Sequence, residues 1–188
     1  MTILYAIPAG ILAGLLLRGR LDGLVALHFR WAPLAIGGLL IQVGLFSELG
    51  DRLAGDFDPQ VYVLSTLAVL GAVLRNLALP GLPLVALGAL SNLAAIVANR
   101  GWMPADPGAL RIAGFDGPGE HTNSIVLADP ALRPLTDIFA LPAGIPFANV
   151  FSVGDMLIAL GIAWAIVAAM RSRTSGAASG GGEVPASG

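Results

Sequence analysis

Five apolar stretches, none with an ionisable side chain in its interior, limit what this chain can fold into. They run from Thr2 to Leu17, Trp31 to Ser47, Pro59 to Leu74, Leu77 to Ala98 and Asp155 to Met170. A bilayer core about 30 Å thick needs roughly 20 apolar residues per crossing helix, within a range of about 17–25. Composition agrees: the chain of 188 residues is 56% hydrophobic and 12% charged, whereas a soluble domain averages roughly 45–50% apolar and about 25% charged. The expected fold is all-α, an integral membrane helical bundle of about five transmembrane helices over residues 1–172, with an ordered extracytoplasmic loop over 101–154.

Charge placement sets the expected orientation, because short cytoplasmic loops collect cations. All ten cations are Arg. The loop from Arg18 to Arg30 holds three Arg and one acid, Asp22, and reads as cytoplasmic. The loop from Glu48 to Asp58 holds four acids against Arg52 and reads as external. The turn at Arg75 then falls inside, Gly101 to Gly154 outside, and Arg171 and Arg173 inside. Arg111 and Arg133 count for less, since long loops cross largely regardless of charge. Every loop fits an N-terminus outside and a C-terminus inside. Arg18 and Arg20 follow the first stretch and no cleavage site is evident, so it reads as a retained helix and not as a signal peptide. Residues 173–188 lack the apolar side chains that offset ordering entropy and read as a disordered cytoplasmic tail.

Several function classes are excluded or demoted. Without Cys there are no disulfides, thiolate metal sites or Cys nucleophiles. A formal net charge of −2 lacks the basic footprint of a nucleic-acid binder. Ionisable groups inside spans mark proton relays and ion pathways, and none is present. No internal repeat appears, and the two halves do not match as an inverted pair. The polar residues inside the stretches are Gln42, Ser65, Thr66, Ser91 and Asn92. They read either as interhelical hydrogen bonds, worth roughly 0.6–2 kcal/mol each, or as a polar path. Gly10 and Gly14 form a G-x-x-x-G pair that lets a second helix backbone approach, from this chain or from another copy.

The long outer segment holds most of the unusual residues. Its runs Ile125-Val126-Leu127 and Ile138-Phe139-Ala140-Leu141 argue for order and for folding back over the bundle. Ser152-x-x-Asp155 before an apolar run is a capping-box pattern, and Asp58-Pro59 opens the third helix in the same way. Asn99 and Gly101 close the fourth helix. Trp31 and Trp102 read as interface anchors. One outer His, His121, without Cys does not make a closed zinc site. A hard-cation site from Asp129, Asp137 and Asp155 lacks motif spacing. His121, Asp137 and Asp155 are the candidate catalytic residues, with the two carboxylates as the candidate acid–base pair. Asn99, Trp102, Met103, Asn123, Asn149 and Ser152 are the candidate binding residues. No metal and no cofactor is expected. Gly114 to Gly119 reads as a turn, since it is neither a P-loop nor a dinucleotide fingerprint.

Three elements together carry a resemblance: Asn99-Arg100-Gly101-Trp102-Met103-Pro104, Leu135-Thr136-Asp137-Ile138, and Asn149-Val150-Phe151-Ser152-Val153-Gly154-Asp155. In this order the chain resembles a bacterial family of small multi-pass membrane proteins of unknown function (domain of unknown function 5317) over roughly residues 1–172. The pattern has a Gly pair before Met103, where this chain has Arg100-Gly101-Trp102. The resemblance implies architecture and a bacterial plasma (inner) membrane, and no reaction.

The reading is a non-enzymatic scaffold, accessory or permease-like subunit acting through its outer surface. Its partners are the lipid bilayer and a second copy or another membrane protein. A small-solute or ion transport component instead requires a continuous polar path through Gln42, Ser65 and Asn92. A membrane enzyme acting on lipid or cell-envelope substrates requires His121, Asp137 and Asp155 in one outer pocket.

Overall fold

The computed structural model describes residues 3–45, 58–115 and 124–172. The helices are α1 (Ile3–Leu16), α2 (Asp22–Val25), α3 (Ala32–Leu45), α4 (Asp58–Leu74), α5 (Leu82–Ala98), α6 (Pro107–Ala113) and α7 (Val153–Arg171). Four short strands interrupt an otherwise helical chain: β1 (Met103–Pro104), β2 (Ser124–Ile125), β3 (Phe139–Leu141) and β4 (Asn149–Phe151). The expectation of an all-α chain is corrected to that extent. The strands arise because the segment between α5 and α7 must pair its own backbone where no long helix does so.

Among the described residues one helix, α7 with 19 residues, is long and apolar enough to cross a membrane. The other four apolar helices have 14 or 17 residues. At 1.5 Å rise per residue these are about 21 and 26 Å long, so five helices of full spanning length are not found. Turns consume part of the apolar sequence. The stretch from Leu77 to Ala98 becomes helix only at Leu82, because Leu79 N donates to Asn76 O (2.9 Å) and Leu82 N to Leu79 O (3.1 Å).

The apolar helices pack in the order α1, α7, α5, α4, α3, with α2 against the end of α7. Small residues allow this. Gly81 at the N-cap of α5 and Gly88 within it stand seven apart, as do Gly154 and Gly161 on α7. The pairs meet antiparallel: a Cβ on Gly81 would lie 2.1 Å from Gly161 O, and one on Gly88 would lie 2.4 Å from Gly154 O. The Gly10–Gly14 pair also faces α7, with Gly10 against Ala163 and Gly14 against Met170. Its partner is thus a helix of the same chain. Beside the α5–α7 seam, Val73, Leu82, Val85 and Ala86 form a buried cluster flanked by Ile158 and Ile162.

The two ends of the bundle differ. One end carries Arg18, Arg20, Arg30, Arg75 and Arg171, and is closed by short connections. Over the other end the segment between α5 and α7 folds into a cap with its own core of Ala105, Ala109, Leu110, Ala113 and Val150. Met103 is buried with Ala95 and Ile96 of α5, and Leu135 packs beside them, joining cap to bundle. At the tip of the β3–β4 connection Tyr5 donates to Pro146 O, and its ring meets Phe147 edge-on.

Candidate functional site

The cap is organised around the extended segment Met103-Pro104-Ala105. β1 pairs in parallel with β2, Met103 opposite Ser124 and Pro104 opposite Ile125. On its other side Asp137 N donates to Pro104 O, and Asp106 N donates to Asp137 O, both at 2.9 Å. β3 and β4 pair antiparallel beside it, with Phe139 stacked on Phe151 at 5.6 Å.

Asp106 then caps α6. Its Oδ1 accepts from Gly108 N (2.8 Å) and Ala109 N (3.2 Å), and its Oδ2 pairs with Arg133 Nη2 at 3.3 Å. The Ala109 N–H, aided by the Gly108 N–H and Arg133, holds the Asp106 carboxyl below its ordinary value of 3.8, against the opposing pull of desolvation. Asp106, Asp129, Arg133 and Thr136 line a cleft of about 260 Å³. Asp129 also borders a second cleft of about 470 Å³ with Asn99, Arg100, Trp102 and Ala131.

Asn99 shapes that second cleft from beneath. It donates to Ala95 O (2.7 Å) and Ala131 O (2.9 Å) and accepts from Ala131 N (2.9 Å). One side chain therefore adds a second bond to the Ala95 carbonyl, which the Asn99 N–H already reaches at 3.1 Å, and grips both backbone groups of the turn residue Ala131. Gly101, at φ +93°, sits where a Cβ would lie 2.5 Å from Pro59 Cβ. Close approach is thus present at Gly101, and Arg100 beside it takes a left-handed φ of 61°.

A separate polar cluster lies at the α5–α7 seam. Ser152 Oγ donates to Asn92 Oδ1 (2.8 Å), and Asn92 Nδ2 donates to Asp155 Oδ1 (2.8 Å). Asp155 Oδ2 accepts from Ser152 N and Ser152 Oγ accepts from Asp155 N, both at 3.1 Å. The capping box read from the sequence is thus formed, and Asn92 fastens it to α5.

The candidate residues distribute as follows. Asn99 and Trp102 share one cleft. Ser152 and Asp155 share the seam cluster. Met103 and Asp137 are buried under the cap, and Asn149 faces Leu141 in the hairpin. His121 and Asn123 lie outside the described residues, as does the tail over 173–188. Neither Asp137 nor Asp155 lines either of the two clefts described above. No group of three His, Asp or Glu among those residues is placed to hold a metal ion, Asp129, Asp137 and Asp155 included. Of the polar residues inside the helices, Gln42 bonds Thr66 (3.1 Å), while Ser65 and Thr66 each donate to Tyr62 O (2.8 Å).

A model described as a family of unknown function (DUF5317) matches residues 26–167, more than half of the chain. The chain belongs to that family. The match is narrower than the resemblance suggested, because it begins just before α3 and leaves out α1 and α2. The chain matches no curated protein and no solved structure. The DUF5317 region nevertheless contains the three motif elements, and each has a structural task in this chain. The first carries the Asn99 grip and the central cap strand, the second the Asp137 pairing, and the third the hairpin and the α7 cap.

Sequence reasoning gave Asp106, Arg133 and Asn76 no place among the candidate residues, reading Asn76 only as part of a tight turn and Arg133 only as a loop charge. Asp106-Pro107 did carry a signal, an N-cap followed by Pro at the first helical position. Asn76 had none, since its partners lie 46 residues away: it donates to Arg30 O and Ala72 O (2.7 Å each) and accepts from Arg30 N (2.8 Å).

Proposed function

We propose that this protein is a membrane-embedded, non-enzymatic scaffold or accessory subunit, with five helices in the bilayer, its cap outside and its arginine end in the cytoplasm. The observation that carries this reading is the apolar character of the helix surfaces that no protein covers. Leu16 is 76% exposed, Leu40 64%, Leu64 66% and Leu160 59%, and only 22% of the α7 window is buried. A helix that is apolar all round belongs in a protein core or in lipid, and here the core is not available to it. The helices shorter than 30 Å fit through local thinning and flanking anchors, at fractions of a kcal/mol per Å.

The orientation is supported by Arg18, Arg20, Arg30, Arg75 and Arg171 on the short connections of one end, since Arg100, Arg111 and Arg133 of the other end belong to the long cap segment, which counts for less. The non-catalytic role is favoured because two polar pairs of the bundle join neighbouring helices, Gln42 with Thr66 and Asn92 with Asp155, while Ser65 donates to Tyr62 O of its own helix. In the test, membranes containing the full chain are extracted with alkaline carbonate, and a C-terminal reporter reads the side. Retention in the pellet with cytoplasmic reporter activity is expected. Release into the supernatant as a monomer overturns the membrane reading, and an external C-terminus overturns the orientation.

A further inference from the structure

The arginine end holds a cleft that none of the preceding chemistry uses. It has a volume of about 490 Å³, and its wall includes Arg18, Arg20 and Arg171, the Asp22 carboxylate beside Arg20, Ser172, and the apolar Leu17 and Met170. The wall is built from backbone contacts between three elements. Arg20 N donates to Met170 O at 2.7 Å, and a Cβ on Gly23 would lie 2.0 Å from Ala169 O. Arg18 takes a left-handed φ of 59° directly after α1.

The guanidinium groups are not consumed in holding this wall. Ser172 N caps Ala168 O (2.9 Å) and Ala169 O (3.2 Å), and Ser172 Oγ donates to Ala169 O (2.7 Å), so the α7 carbonyls are already satisfied. Arg20 pairs with Asp22 at 2.9 Å. The side chains of Arg18 and Arg171 have no ion-pair or hydrogen-bond partner among the described residues. The cleft therefore keeps two unpaired guanidinium forks beside an apolar floor of Leu17 and Met170. Immediately outside it, Leu21 and Val25 of the α2 region project apolar side chains away from the bundle, Val25 at 90% exposure.

We propose that this cleft binds the phosphodiester headgroup of an anionic phospholipid of the cytoplasmic leaflet, with Arg18 and Arg171 on the phosphate and the acyl chains running over Leu17, Leu21 and Val25. This rests on the membrane reading above. Guanidinium forks match phosphate oxygens in planar, two-point geometry. Basic pockets between helices on the cytoplasmic side are a recurring way to hold such headgroups. The exposed apolar side chains at the mouth favour a lipid over a free phosphate, because a soluble ion makes no use of them.

The experiment uses the full chain in mild detergent. Binding of fluorescent phosphatidylglycerol is compared with phosphatidylcholine, with inorganic phosphate as competitor, for the wild type and for Arg18→Gln/Arg171→Gln. The expected result is a preference for phosphatidylglycerol that falls about fivefold per arginine removed, weakens with salt, resists phosphate, and returns in part with Arg18→Lys/Arg171→Lys. Equal binding of the two lipids overturns the proposal, as does a preference unchanged in the double Gln variant. Displacement by inorganic phosphate overturns the lipid assignment in favour of a free anion. Carbonate extraction of the same variants separates the two failures: a protein that stays in the membrane without lipid preference refutes only this site.

Discussion

The two ends of the bundle use the same device for different loads. At the end of α4, Asn76 donates to the carbonyl four residues back and grips both backbone groups of Arg30. At the end of α5, Asn99 does the same with Ala95 and Ala131. Asn76 fastens one point just before α3, where short turns close the end. Asn99 fastens a cap with strands, a core and two clefts. The device answers a need common to both ends, because a connection outside the helices must find partners for its own backbone groups, and an unpaired buried one is expensive. What differs is what lies beyond it: a cationic edge at one end and a folded, acid-bearing layer at the other.

The Gly81–Gly88 and Gly154–Gly161 seam joins the two ends, so breaking it should erase the contrast. Gly154→Leu is the harshest test, since a Cβ there would lie 1.9 Å from Asn92 Oδ1 and 2.7 Å from Gly88 O. It should lose more than about 3 kcal/mol, seen as loss of folded protein in detergent by size-exclusion chromatography. Gly71→Ala, with nothing within 4 Å of the new Cβ, should leave that profile unchanged or slightly improved.

The asparagines should separate the ends. Each substitution to Ala strands backbone groups at about 1–3 kcal/mol. Asn99→Ala should open the cap first, giving early proteolytic cuts near residues 126–133 while the helices persist. Asn76→Ala should leave the cap protected and lower the unfolding temperature of the whole bundle. Matching proteolytic patterns in the two variants would contradict the division. Ser152→Ala removes a cap worth about 1 kcal/mol and orphans Asn92 Oδ1. Its effect should fall between those of the two ends and appear in hydrogen exchange at the first turn of α7.

The smallest effect is a pH dependence confined to the cap. Asp106 titrates below 3.8 in the folded chain, chiefly because Ala109 N–H donates to it. A lowered folded value means that its stabilisation is present above about 3.8 and is lost as pH falls through the folded value. Hydrogen exchange in α6 should accelerate on acidification below about pH 4, with no matching change at the arginine end. Asp106→Asn should flatten that response; a response of the same size in the variant would assign it to another carboxyl.

How much was legible beforehand follows the range of each interaction. The helices, the capping box at Ser152 and Asp155, and the close of α5 at Asn99 and Gly101 were readable, because apolar runs and caps act within a turn or two of chain. The shortening of the fourth stretch was only half visible in Pro80, Gly81 and Pro83. The strands escaped notice, since segments of two or three residues carry almost no periodicity. The candidate residues were located in the right segment but were not grouped. Asn92 joined Ser152 and Asp155 across 60 and 63 residues, and no local pattern announces such a meeting.

By itself, then, the sequence determined where apolar helix would form, how it would be capped and which end would carry the arginines, since these depend on neighbours along the chain and on the solvent each side chain prefers. Only the tertiary structure decided which glycines would face each other, which backbone each asparagine would hold and where the clefts would open. Those outcomes come from close packing between segments far apart in the chain, where a few tenths of an ångström separate a fit from a clash.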